Sequence, residues 1–311
     1  MTPEALGVAP IDAVIARVKQ VYSGWSRTTT AVQMRRDWDG LFAASAVPAA
    51  VVPVVAGSVP AAWIAAPGVR QDKVVVYFHG GGFQVGSLRS HRELMSSISA
   101  GVGCRVLGVD YRLAPEHRFP APLQDARAAY EWLLMEGVRA ADIALAGDSA
   151  GGGLVISAIV ALRDAGRPLP AAAVLMSPWT DLTASGESYT TRADADPIHQ
   201  RPMILGLARH YLGANGDADD PSASPLFADL RGLPPLLIQV GDRETLLSDA
   251  TVCADRARAA GVAVDLEVWE QMIHVFQQFP ADLIEARRAL ASIGRFLRSR
   301  LGLPDAPSSD R

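Results

Sequence analysis

Gly147-Asp148-Ser149-Ala150-Gly151 sets a serine between two glycines, directly after the apolar run "IALAG" and before a helical stretch. A turn this sharp between strand and helix forces the serine into strained backbone geometry and lifts its hydroxyl clear of its neighbours. The helix N-terminus beneath it favours developing negative charge. That is the chemistry of a nucleophile, although the pattern alone equally describes a glycine-rich turn with a capping serine. A second motif adds what acyl transfer needs. "HGGGF", His79 to Phe83, ends another apolar run, and consecutive glycines let main-chain N–H groups approach an oxyanion closely. The competing reading is a phosphate-binding loop, but neither a Walker lysine nor G-x-G-x-x-G follows.

Together with "DYRLAPEHRFPAPLQDA" (110–126), "SPWTDL" (177–182) and "MIHVF" (272–276), these segments span residues from about 70 to 300. In composition and order they resemble the hormone-sensitive-lipase-like branch of the α/β hydrolases, which includes many bacterial carboxylesterases. The resemblance implies an α/β fold with an eight-stranded, mostly parallel sheet flanked by helices and covered by a helical cap. It implies a serine esterase acting on short- to medium-chain carboxylic esters, with no metal or other cofactor. Gly81, Gly82 and Ala150 become the oxyanion N–H donors, while Arg112 and Glu116 organise the loop below the site. A homodimer through a sheet edge is a further implication. Lactone, carbamate and amide bonds remain open as alternatives on the same residues. Receptors on this fold keep HGGG and the elbow but lose the histidine, so Ser149 and His274 together point to catalysis.

The order nucleophile, acid, histidine expected of this fold leaves His199, His210 and His274 after Ser149. The acid must follow a strand beyond residue 221, which removes the first two. His274, after the last strand and before the final helix, takes the base position. Many relatives carry glycine where this chain has Gln271. For the acid, "VGDRETLLSDA" offers Asp242, Glu244 and Asp249. Asp249 has a sufficient explanation as a first-turn acid beside a capping Ser248. Reach alone does not separate Asp242 from Glu244. A sub-branch of the resembled family reads G-x-x-E-x-L-L, as Gly241 to Leu247 do here, and that resemblance favours Glu244.

These residues need a parallel sheet to position them. Strands are expected near 51, 61, 73–79, 104–110, 143–147, 172–177, 235–241 and 264–270. Helices near 122–136, 150–165, 249–260 and 281–300 alternate with them, as right-handed crossovers require. Residues 49–180 and 222–302 form the expected catalytic domain. Residues 1–48, with helical spacing at Ile11, Val14, Ile15 and Val18, join the strandless 181–221 insertion as the cap; 303–311 is a tail. Candidate substrate-lining residues are Phe83, Asp148, Met203, Ile204, Leu205 and Tyr211. The last four fit packing within their own helix equally well.

Composition bounds the partners. The 311 residues carry a net charge of −4, with no basic run to suggest nucleic acid. No stretch reaches about 18 apolar residues and the first twenty lack a signal-peptide pattern, so a cytoplasmic protein without membrane insertion is expected. Cys104 and Cys253 have no metal-ligand spacing around them and read as buried free thiols. The expected ligand is a small-molecule ester.

Overall fold

Three successive valines followed by Tyr77 and Phe78 leave no polar face, so their strand must be covered on both sides. In the computed structural model, which describes residues 9–26, 28–42 and 47–304, it lies inside one eight-stranded sheet. The strands are β1 (Ala50–Ala56), β2 (Val59–Ala65), β3 (Arg70–Phe78), β4 (Cys104–Val109), β5 (Ile143–Asp148), β6 (Ala172–Met176), β7 (Leu236–Gly241) and β8 (Val264–Trp269). Their order is β1-β2-β4-β3-β5-β6-β7-β8. β1 and β2 join antiparallel; every pairing from β4 to β8 is parallel. All eight lie where the apolar runs predict them.

Nine α-helices accompany the sheet among the described residues: α1 (Pro10–Ser23), α2 (Ala31–Leu41), α3 (Arg92–Val102), α4 (Ala121–Met135), α5 (Ala150–Asp164), α6 (Ser188–Thr191), α7 (Arg201–Leu212), α8 (Leu247–Ala259) and α9 (Ile284–Leu301). Strand alternation sorts the core into two layers. Val74, Val76 and Phe78 pack with α4, α5 and α8. Val75 and Tyr77 pack on the other face with α3 and α9. A third cluster seats Val14 and Val18 of α1 on Met272, Ile273 and Phe276. α3 is an addition to the sequence reading, which assigned no element there. Its apolar positions Leu94, Met95, Ile98 and Val102 are all buried.

Between 181 and 221 there is no strand, only α6 and α7. Cys104 and Cys253 are free and buried, and burial pushes both thiols up to about 12, which leaves them unreactive. Among the described residues no helix is long and apolar enough to cross a membrane. Most of the expected tail, 305–311, lies outside the described residues.

Candidate active site

The parallel strands deliver their C-terminal ends to one edge of the sheet, and the predicted residues gather there. β5 ends at Asp148 and α5 begins at Ala150, so the whole turn is Ser149, with φ 51° and ψ −121°. Such a conformation costs a non-glycine residue roughly 1–3 kcal/mol. It is held by Ser149 N–H donating to Met176 O and Trp179 N–H donating to Ser149 O, both at 2.9 Å. Gly151 is required by contact, since a Cβ there would lie 2.0 Å from Phe78 O.

The glycine loop is fixed from beneath. Gly80 N–H donates to Asp148 Oδ1 at 2.9 Å, and Tyr77 Oη donates to the same oxygen at 2.6 Å. His91 Nε2 faces Asp148 Oδ2 at 3.3 Å. Burial disfavours the Asp148 carboxylate, but these partners hold its pKa below the ordinary value. Tyr111 Oη donates to His79 O at 2.6 Å and its ring stacks on His79. Among the described residues, no main-chain or side-chain partner takes the N–H of Gly81, Gly82 or Ala150.

Glu244 is 0% exposed. Its Oε2 accepts from His274 Nδ1 at 2.6 Å, and its Oε1 accepts from Gly241 N–H at 2.7 Å and Ser177 Oγ at 2.8 Å. Burial favours a neutral His274, yet the adjoining carboxylate outweighs it and raises the imidazole pKa above 6.5. Asp242 does not reach the histidine: its N–H donates to Trp269 O, and its Oδ1 is buried without a partner among the described residues. Ser177 is a residue that sequence reasoning missed. It also accepts from Val275 N–H at 3.1 Å, tying Glu244 to the loop of His274. The available signal was its position, the first residue beyond β6 at the active edge of the sheet.

Asp249 requires a correction. It lies in the first turn of α8, but Ser248 does not cap the helix; its Oγ accepts from Ser188 N–H at 3.0 Å. The Asp249 carboxylate is buried and accepts from Thr180 and Asp181 N–H, both at 2.9 Å. It therefore clamps the segment after β6 instead of capping α8, and burial pushes its pKa up to about 7. Arg112 pairs with Asp125 of α4. Glu116 pairs with Arg35 of α2, which also donates to Gln84 O and Ala114 O.

Ser149 and His274 open on one cavity of about 260 Å³. α1, α2 and the 181–221 segment supply most of its apolar wall, including Val18, Trp38, Ile198 and Leu207. Of the six expected lining residues, Asp148, Met203 and Ile204 are there; Phe83, Leu205 and Tyr211 are not. Phe83 and Tyr211 stack on each other at 3.8 Å within the core, and Leu205 packs at the edge of that core. His199, set aside as base, lines the cavity with its ring edge-on to His274 at 4.4 Å.

A strained serine elbow, a glycine loop and a buried acid–histidine pair at the C-terminal edge of a parallel sheet define the α/β hydrolases. Residues 75–278 match the family model described as alpha/beta hydrolase fold, and the chain belongs to that family. Its branch is that of the bacterial hormone-sensitive lipases. A solved esterase described as from that family is 49% identical, with a TM-score of 0.91, covering 94% of this chain and 98% of its own. EstE5, solved after soaking with p-nitrophenyl butyrate, is 40% identical with a TM-score of 0.88, covering 94% of this chain and 99% of its own. An acetyl-hydrolase of Streptomyces hygroscopicus is 45% identical over 249 residues, 80% of this chain and 83% of its own.

Proposed function

We propose that the chain is a serine carboxylesterase that hydrolyses short- to medium-chain esters through an acyl-enzyme. Ser149 is the nucleophile, His274 the general base and acid, and Glu244 the carboxylate that holds the histidine tautomer. Ser149 Oγ bonds to the ester carbonyl carbon as its proton passes to His274 Nε2. The carbonyl oxygen, now negative, is received by the N–H groups of Gly81, Gly82 and Ala150. His274 gives the proton to the departing alcohol oxygen, and water repeats the sequence on the acyl-enzyme. Apart from the ester and water, every group this reaction uses belongs to the chain, so it calls for no cofactor. Residues 181–221 and the described part of 1–48 act as the cap over the catalytic domain formed by 49–180 and 222–302; residues 1–8, 27 and 43–46 of the expected cap lie outside the described residues. Unpaired Cys104 and Cys253 fit a reducing cytoplasm.

The observation that carries this reading is the buried Glu244–His274 pair at 2.6 Å, opening on the cavity that contains Ser149. The cavity volume of about 260 Å³ suits a small ester. The test is hydrolysis of p-nitrophenyl esters of graded acyl length beside lactones and amides, with diisopropyl fluorophosphate labelling read by mass spectrometry. A single phosphoryl adduct on Ser149, lost together with turnover in Ser149→Ala, is expected. Turnover that persists in Ser149→Ala would overturn the assignment.

A further inference from the structure

Among the described residues Gly82 N–H has no partner, yet its direction is fixed. The Gly81–Gly82 peptide is trans, so this N–H points opposite to the carbonyl of Gly81. Gly81 O accepts from Gln84 N–H and Val85 N–H, both at 3.0 Å. Gly82 lines the cavity, and its N–H is turned away from the two donors that hold the carbonyl. Each of those donors belongs to a peptide whose own carbonyl is held in turn. Val85 N–H shares its peptide with Gln84 O, which accepts from Arg35 Nε at 2.9 Å. Gln84 N–H shares its peptide with Phe83 O, which accepts from Ala114 N–H at 2.8 Å. Ala114 O accepts from Arg35 Nη2 at 2.9 Å. Both supports of the Gly81 carbonyl therefore lead to one side chain.

Arg35 reaches this loop from α2, 49 positions before Gln84. Its remaining bonds form a fork on Glu116, Nη1 to Oε1 at 3.0 Å and Nη2 to Oε2 at 2.7 Å. Such a fork fixes the guanidinium plane, and the planar group keeps its charge and all its donors. One rigid cation thus serves two carbonyls and a carboxylate. Hydrogen bonds in a row polarise one another. From Arg35 Nε through the Gln84–Val85 and Gly81–Gly82 peptides the row runs in one sense, each N–H donating onward. A cation at its start strengthens the last N–H as a donor.

We propose that Arg35 is a positioning residue for the oxyanion hole, aiming and polarising the Gly82 N–H through Gln84 and Val85. Helix α2 then contributes to the chemical step as well as to the cavity wall. The inference rests on the esterase reading above and deepens it.

The test is Arg35→Met, which keeps the stem of the side chain and removes every donor. The Arg35 side chain is 26% exposed, so water can reach the two carbonyls and the variant should fold, which thermal melts check. On p-nitrophenyl acetate, butyrate and hexanoate, kcat should fall about 10- to 100-fold, by one factor for all three. KM should stay within about threefold, because a displaced oxyanion donor weakens the transition state alone. Propyl trifluoromethyl ketone takes up Ser149 Oγ at its carbonyl carbon and gives a tetrahedral oxyanion with no leaving group. Its inhibition constant should rise in parallel with the fall in kcat/KM. Arg35→Lys keeps the charge without the planar fork; it should lose less, with the same parallel, and carries the test if Arg35→Met does not fold. A kcat within about threefold of wild type in every variant that folds would overturn the proposal. So would a loss that falls on KM or varies with acyl length, as a disturbed wall would give, or an inhibition constant that stays fixed while kcat falls. A wild-type enzyme that hydrolyses none of the three esters would instead overturn the esterase reading.

Discussion

Glu244→Gln keeps the shape of the proposed acid and removes its charge, and the hydrogen bonds around it dictate how the amide must lie. Oε1 accepts from Gly241 N–H at 2.7 Å and Ser177 Oγ at 2.8 Å, so the amide oxygen takes that side. The NH2 group is left against His274 Nδ1. That nitrogen must then accept, the imidazole proton moves to Nε2, and the atom that should receive the Ser149 proton is already protonated. The corresponding acid-to-amide change in a serine protease triad lowers kcat about 10⁴-fold, which is about 5 kcal/mol of barrier, and a loss of that order is expected here. Asp242→Asn has no path to the histidine and should leave kcat within about threefold. The assay is steady-state hydrolysis of p-nitrophenyl butyrate near pH 8, with thermal melts to confirm that both variants fold. Reasoning from this geometry fails if Glu244→Gln keeps more than about a tenth of wild-type kcat, or if Asp242→Asn loses about a hundredfold.

Because the imidazole must be neutral to act and Glu244 raises its pKa above 6.5, kcat/KM should climb through a pKa above that value. In Glu244→Gln the climb should move to lower pH; a profile flat from about pH 5 to 8 would refute this account. Asp249 is raised from 3.8 to about 7, so the folded state binds its proton more tightly than the unfolded chain does. Stability should therefore fall as pH rises from about 4 to 7, by an amount on the order of 4 kcal/mol. Asp249→Asn keeps an oxygen for Thr180 and Asp181, and its advantage over wild type in urea melts should grow with pH. Gln271 holds φ 60°, which costs an L-residue about 1–2 kcal/mol, and greater unfolded-state freedom offsets part of the relief in Gln271→Gly. A Tm rise of about 1–3 °C is expected, and a fall would place an undetected contact on the Gln271 side chain.

What the sequence showed and what it hid divide along range. A continuous apolar strand such as "KVVVYFH" can be read locally because both its faces are covered, and the turn residues around Ser149 and in HGGGF carry their geometry with them. α7 marks the limit. Its spacing predicts a helix, but not which face meets the cavity: Ala208 and Tyr211 are buried away from it, while Met203, Ile204, Leu207 and His210 line it. Leu205 lies off that stripe, and the helical period alone could not say so. α3 was missed because its apolar residues are mixed with serines that find partners far away, as Ser99 Oγ does in accepting from Ala66 N–H, 33 positions away. Asp249 was explained by the helix it begins, although its partners, Thr180 and Asp181, lie 69 and 68 positions away.

The same long-range contacts join the pocket wall to the chemistry. Asp196, in the 181–221 segment, accepts from Thr245 N–H at 2.7 Å through Oδ2, one residue beyond Glu244. Through Oδ1 it accepts from the N–H groups of Ile198 and His199, both at 2.8 Å. One buried carboxylate therefore orients both the loop of the proposed acid and the histidine that packs on the proposed base. From the opposite side, Val14 and Val18 of α1 share a core with Met272 and Ile273, the two residues before His274. The cavity wall and the base loop thus rest on common packing and hydrogen bonds. Changes in the wall that disturb these shared supports would act on positioning for chemistry as well as on binding, so kcat and KM are expected to move together.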